Sequence, residues 1–104
     1  MALVVIASVT PRSEHRDEVL ADLEKAAPLI QREEGCELWA LHEAKGAFVL
    51  VEQWQDPAAL KAHGAGSAFT ELNRAIEDKL ESPLQVQVVT PLVTGDPSLG
   101  AVRA

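Results

Sequence analysis

Ala47-Phe48-Val49-Leu50-Val51-Glu52-Gln53-Trp54-Gln55-Asp56-Pro57 carries the fold in its alternation. Successive strand side chains point to opposite sides, so Phe48, Leu50, Glu52 and Trp54 share one face and Val49, Val51 and Gln53 the other. Both faces begin apolar, so this strand is to be covered on both sides. Asp56-Pro57 then starts a helix, with an Asx cap followed by proline at the first helical position, where its missing N–H costs nothing. Upstream, residues 36–43 also alternate: Glu37, Trp39 and Leu41 oppose Cys36, Leu38, Ala40 and His42. Ala44-Lys45-Gly46 is a short turn, which makes 36–43 and 47–55 a hairpin.

Toward the N-terminus, residues 3–9 are rich in β-branched residues and apolar on both faces, as in a central strand. Pro11 ends it, Ser13 is an N-cap candidate, and Glu14 and Asp17 put negative charge in a first helical turn. Val19, Leu20, Leu23, Ala27 and Ile30 recur at helical spacing, Pro28 is expected to kink the helix, and Gly35 stops it. Past Pro57, Leu60 and His63 ride a short helix that breaks at Gly64-Ala65-Gly66, a segment whose backbone freedom suits a lid. Ser67 caps a further helix with the stripe Phe69, Leu72, Ile76 and Leu80, and residues 84–93 form the last strand.

The order β-α-β-β-α-α-β predicts an α+β fold of ferredoxin-like type, an antiparallel sheet with helices on one face. Leu38, Ala40, Val49 and Val51 have no helix left to cover them, so the bare face predicts a homodimer. Residues 1–93 read as one domain and 94–104 as a tail, mobile or laid on a partner subunit.

A chain of 104 residues has room for one core, and 47% apolar with 24% charged residues is globular composition. A net charge of −7 with no basic cluster argues against nucleic acid and anionic lipid as partners. The lone Cys36 points to a reducing compartment. The apolar start lacks a basic region before it, and no run approaches the roughly 18 apolar residues of a membrane span. These features read as a cytoplasmic protein with no membrane partner.

Phosphate-cradling glycine loops, nucleophile elbows and paired Cys-x-x-Cys motifs are absent. Cys36 and His42 lie roughly 20 Å apart along one strand, too far to share a metal, so no metal site is expected. What remains is Glu52 and Trp54 on the helix side and His63 late on the next helix. They border a pocket that is apolar except for one carboxylate and one imidazole. Glu52 is either an ordinary cap or ion-pair carboxylate or the polar partner of His63. Trp39 and Trp54 are either core or an aromatic wall for a flat ligand, and His15 and His42 read as surface residues.

Several segments in this order resemble the antibiotic biosynthesis monooxygenase family. They are Glu33-Glu34-Gly35-Cys36, Phe48 through Trp54, Asp56 through Ala62-His63, and Val86-Gln87-Val88-Val89-Thr90-Pro91-Leu92. The resemblance covers nearly all of residues 2–93. It implies a dimeric α+β barrel with one cavity per subunit and, as in the quinol monooxygenases, oxygenation of phenols or quinols without flavin, haem or metal. An electron-rich phenolate can itself reduce oxygen, and the protein supplies a base, a dry pocket and stabilisation of the anion. The reading is thus a cofactor-independent monooxygenase with a small aromatic substrate and molecular oxygen as partners. His63 is its base or anion-stabilising donor, Glu52 the polar partner, and Trp39, Trp54 and Phe69 the walls. A non-catalytic ligand-binding barrel and an isomerase of an oxygenated metabolite are the alternatives. The chain departs from many relatives in having Ala68 five residues after His63, where they place a second histidine. It contains no tyrosine, and its first strand lacks the asparagine of the haem-degrading relatives.

Overall fold

Leu3–Val9 (β1) runs through the interior of a four-stranded sheet in the computed structural model, which describes residues 2–103. Met1 and Ala104, the outer ends of the domain and tail read from the sequence, lie outside the described residues. β1 pairs antiparallel with Ala47–Trp54 (β3), from Leu3 opposite Trp54 to Val9 opposite Phe48. On its other side it pairs with Gln85–Val89 (β4), from Val4 opposite Val89 to Ser8 opposite Gln85. Cys36–Ala44 (β2) closes the hairpin with β3, and the order across the sheet is β2-β3-β1-β4.

Three helices, Arg16–Gln31 (α1), Pro57–Ala65 (α2) and Ser67–Ile76 (α3), cover one face. The core forms where Val19, Leu23 and Ile30 of α1 and Leu72 and Ile76 of α3 meet Val5, Ala7, Val9, Phe48, Leu50 and Trp54 of the sheet. Burial of each large side chain contributes about 1.5–3 kcal/mol. The architecture is the expected ferredoxin-like α+β arrangement with an all-antiparallel sheet.

Local details differ from the sequence pattern. A bulge between Cys36 and Leu38 shifts the β2–β3 register, so that Cys36 faces Trp54 while Trp39 faces Glu52. One extra residue moves Cys36 onto the helix-covered face, where it packs against the core, away from His42. Ser13 opens a single 3-10 turn and makes no cap bond. The chain there is already held by Arg12 N–H donating to the Lys79 carbonyl and by a bridge from Pro11 to Leu80. α2 continues through Gly64 to Ala65, because Gly66 N–H donates to the His63 carbonyl at 3.0 Å. Gly66, rather than Ser67, caps α3, with φ at an unremarkable −79°. No loose glycine segment separates the two helices. The last strand stops at Val89, and the chain beyond it turns back, so that Leu99, Ala101 and Val102 share a shallow hollow with Val4, Ile6 and Val89. The tail therefore lies against the bare face of its own sheet.

Candidate active site

Three segments converge above the sheet, and local geometry fixes each. Asp56 accepts the Ala59 N–H at 2.8 Å and Pro57 occupies the first turn, so α2 begins rigidly at the end of β3. The turn before β2 is pressed against that first helical turn. Gly35 adopts φ +83°, its carbonyl accepts the Gln55 N–H at 2.8 Å, and a side chain there would land on the Cβ of Ala59. Only glycine fits a backbone that is both left-handed and this close to a neighbour. The same turn carries Glu33, whose N–H donates to the Ile30 carbonyl and whose carbonyl accepts from Cys36.

His63 is 6% exposed, and it is the buried residue of α2. Its ring stacks on Trp54 with centroids 4.5 Å apart and meets Phe69 of α3 at 5.2 Å. Nδ1 lies 2.6 Å from Glu33 Oε1. Glu52 is 5% exposed, and its Oε1 accepts the Trp54 indole N–H at 2.9 Å. Burial pushes the Glu52 carboxyl above the usual range, with Glu33 adding to the rise. The Trp54 hydrogen bond and the nearby His63 pull the other way without cancelling it. The protonated form of Glu52, which can give a proton as well as accept one, is thus favoured relative to that of an exposed carboxyl.

No buried side-chain nitrogen or oxygen among the described residues lacks a hydrogen-bond partner. Among the described residues His63 Nε2 and Glu52 Oε2 make no hydrogen bond, so both remain open to the adjoining space. That space is a cavity of about 250 Å³ between sheet and helices. Its walls are apolar, from Val5, Ala7, Leu50 and Trp39 on the sheet to Leu60, Phe69, Leu72 and Ile76 on the helices. Polar side chains enter it at three residues: Glu52, His63 and Asn73. On the β4 side no helix closes it, and the lining residues Val86 and Val88 are 52% and 55% exposed.

The structure brings His63, Glu52, Trp39 and Phe69 to one cavity. Trp54 differs: it is completely buried, stands behind His63, and forms no part of the wall. Its indole lies under the imidazole, stacked at 4.5 Å, rather than in the cavity wall. The carboxylate bonded to His63 is Glu33, while Glu52 bonds to Trp54. Sequence reasoning missed Glu33 and Asn73. Asn73 had a signal, since it stands next to Leu72 and one turn after Phe69 on the buried side of α3; Glu33 stood within a segment that carries the family resemblance, but nothing in that charged turn marked it as the partner of His63.

His15 pairs with Glu18 at 3.1 Å and His42 is exposed, both away from the cavity. Among the described residues no three His, Cys, Asp or Glu side chains converge as a metal site would require.

The family model described as Antibiotic biosynthesis monooxygenase matches residues 2–75. A Bacillus subtilis (strain 168) protein named "Putative monooxygenase YcnE" is 30% identical over 87 residues, covering 81% of this chain and 92% of that protein. Among solved structures, Rv0793 of Mycobacterium tuberculosis superposes with a TM-score of 0.86 at 26% identity, over 92% of this chain and all of that one. PA3566 of Pseudomonas aeruginosa gives 0.80 at 26% identity, over 88% and 94% of the two chains.

Proposed function

The chain belongs to the antibiotic biosynthesis monooxygenase family, and on that premise we propose that it is a cofactor-independent monooxygenase of a small phenol or quinol. The observation that carries the reading is the free Nε2 of His63 in the wall of a largely apolar cavity. At about 250 Å³ the space is below the roughly 300–1,000 Å³ of drug-sized sites, which favours one or two fused rings.

His63 Nε2 takes the proton of a ring hydroxyl, and the phenolate gives an electron to oxygen. The radical pair joins through the ring carbon beside the oxygen, forming a peroxide at that carbon. Loss of the ring C–H proton and cleavage of the O–O bond leave a new carbonyl and expel water. A quinol and O₂ thus become a hydroxyquinone and H₂O, with one atom of the O₂ in each product. The buried acid Glu52 is suited to protonate the departing oxygen, and the apolar walls keep water from the peroxide. Trp39 and Phe69 offer flat surfaces to the ring.

A homodimer belongs to the same proposal. It is supported by the exposed valines of β4 and by the half-buried Val49 and Val51 on the face away from the helices. A cytoplasmic site of action belongs to the proposal too; among the described residues no helix is long and apolar enough to cross a membrane.

The test is oxygen uptake with a reduced naphthoquinol, corrected for autoxidation in buffer, with the product identified by mass. Enzyme-dependent uptake yielding the hydroxylated quinone supports the reading. Binding seen by tryptophan fluorescence without any uptake above buffer would identify a ligand-binding barrel instead.

A further inference from the structure

We propose that Glu33 is the positioning residue of this site: its carboxylate holds the Nδ1 proton of His63, so that the lone pair of Nε2 faces the cavity. The inference rests on the reading of His63 as base, and it adds a residue from a different segment of the chain.

A neutral imidazole has one donor and one acceptor nitrogen, and the partner of one nitrogen decides the role of the other. An ionised carboxylate only accepts, and at 2.6 Å from Nδ1 it requires the proton there. Nε2 is then the base, on the side where no described residue hydrogen-bonds it. With the opposite tautomer Nε2 would carry the hydrogen and be unable to take one from a substrate.

The rest of the corner fixes this pairing. The Glu33 side chain is 23% exposed, well sheltered for a carboxylate in a turn. Its second oxygen lies near Gly66, where a Cβ would stand 3.4 Å from it and 3.3 Å from the His63 carbonyl. The carboxylate therefore sits against the joint of α2 and α3. On the other side, Gly35 clamps the Glu33 turn to α2. The Trp54 stack prevents the ring from tilting away. When His63 takes a proton, the Glu33 charge stands beside the imidazolium that forms, the arrangement that orienting carboxylates provide for histidine bases.

The experiment is nitrogen and proton NMR of histidine-labelled protein at a pH where the ring is neutral, with His63 signals identified by their loss in His63→Gln. The expected wild-type spectrum shows Nδ1 protonated, Nε2 unprotonated, and a far-downfield Nδ1 proton. Glu33→Ala is expected to move the hydrogen to Nε2 and to lower quinol turnover about 10- to 100-fold. A wild-type proton on Nε2, or a tautomer unchanged in Glu33→Ala, overturns the proposal. Should Glu33→Ala not fold, the isosteric Glu33→Gln serves. Replacing a charged acceptor with a neutral one is expected to move the Nδ1 proton upfield, and an unmoved signal overturns the proposal. The spectra need no substrate, so a wild-type protein inactive on quinols refutes the reaction while leaving the tautomer to be judged separately.

Discussion

Replacing Gly35 with alanine tests how the site is held, because the effect divides into two parts. At φ +83° a residue with a Cβ loses roughly 1–2 kcal/mol relative to glycine. The same Cβ would overlap that of Ala59, and crowding of this kind costs about 1–3 kcal/mol. The expected destabilisation is therefore about 2–5 kcal/mol. Ala59→Gly alone removes a methyl from the first turn of α2 and costs roughly 0.5–1 kcal/mol. In the double variant the overlap is gone and the backbone cost remains. It should be more stable than the sum of the single changes by about 1–3 kcal/mol. Urea unfolding followed by tryptophan fluorescence gives the four stabilities of the cycle. Additive effects, or a Gly35→Ala cost below about 1 kcal/mol, would refute the claim that this turn is locked to α2. Turnover should recover in the double variant as far as Glu33 regains its place beside His63.

His63→Ala should retain the fold by circular dichroism and lose about 10²- to 10⁴-fold in oxygen uptake with a quinol; near-normal uptake would reduce His63 to a lining residue. Glu52 is raised above its unfolded value, so the native state holds its proton more tightly and stability falls as pH climbs from the unfolded to the folded value. Glu52→Gln, which still offers an acceptor to Trp54, should thus melt higher than wild type at neutral pH. The gain should vanish on acidification below the ordinary carboxylate range, and a variant less stable at every pH contradicts the account. Val51→Glu places a charge on the face away from the helices and should give monomeric or insoluble protein; wild-type protein already monomeric at micromolar concentration in light scattering removes the basis for the dimer.

The alternation from Phe48 to Trp54 was legible because a half-buried strand repeats every two residues, and register then follows from which face must be dry. The Asp56-Pro57 start was legible because capping is a local bond between near neighbours. The β2 bulge was not, since Cys36, Leu38 and Ala40 look the same on either face until the partner strand sets the count. Ser13 and Ser67 looked like caps by residue type, but contacts from the far end of the domain and the tight α2–α3 joint decided otherwise. For the site, His63 and Glu52 stood out as polar residues on apolar faces. Glu33 did not, because one more glutamate beside Glu34 becomes distinctive only when folding brings α2 against its turn.

The strand order has a consequence for how the chain reaches this state. β1 is first in sequence yet lies inside the sheet, bonded to β3 on one edge and to β4, near the other end of the chain, on the other. The β2–β3 hairpin can close early through the two-residue turn between paired Ala44 and Ala47. By contrast, β1 stays unsatisfied on one edge until the ribosome has delivered Gln85–Val89. Throughout that interval Leu3–Val9, with its run of β-branched residues, is an open template for another nascent chain. Slow translation between α3 and β4 therefore lengthens the window for aggregation.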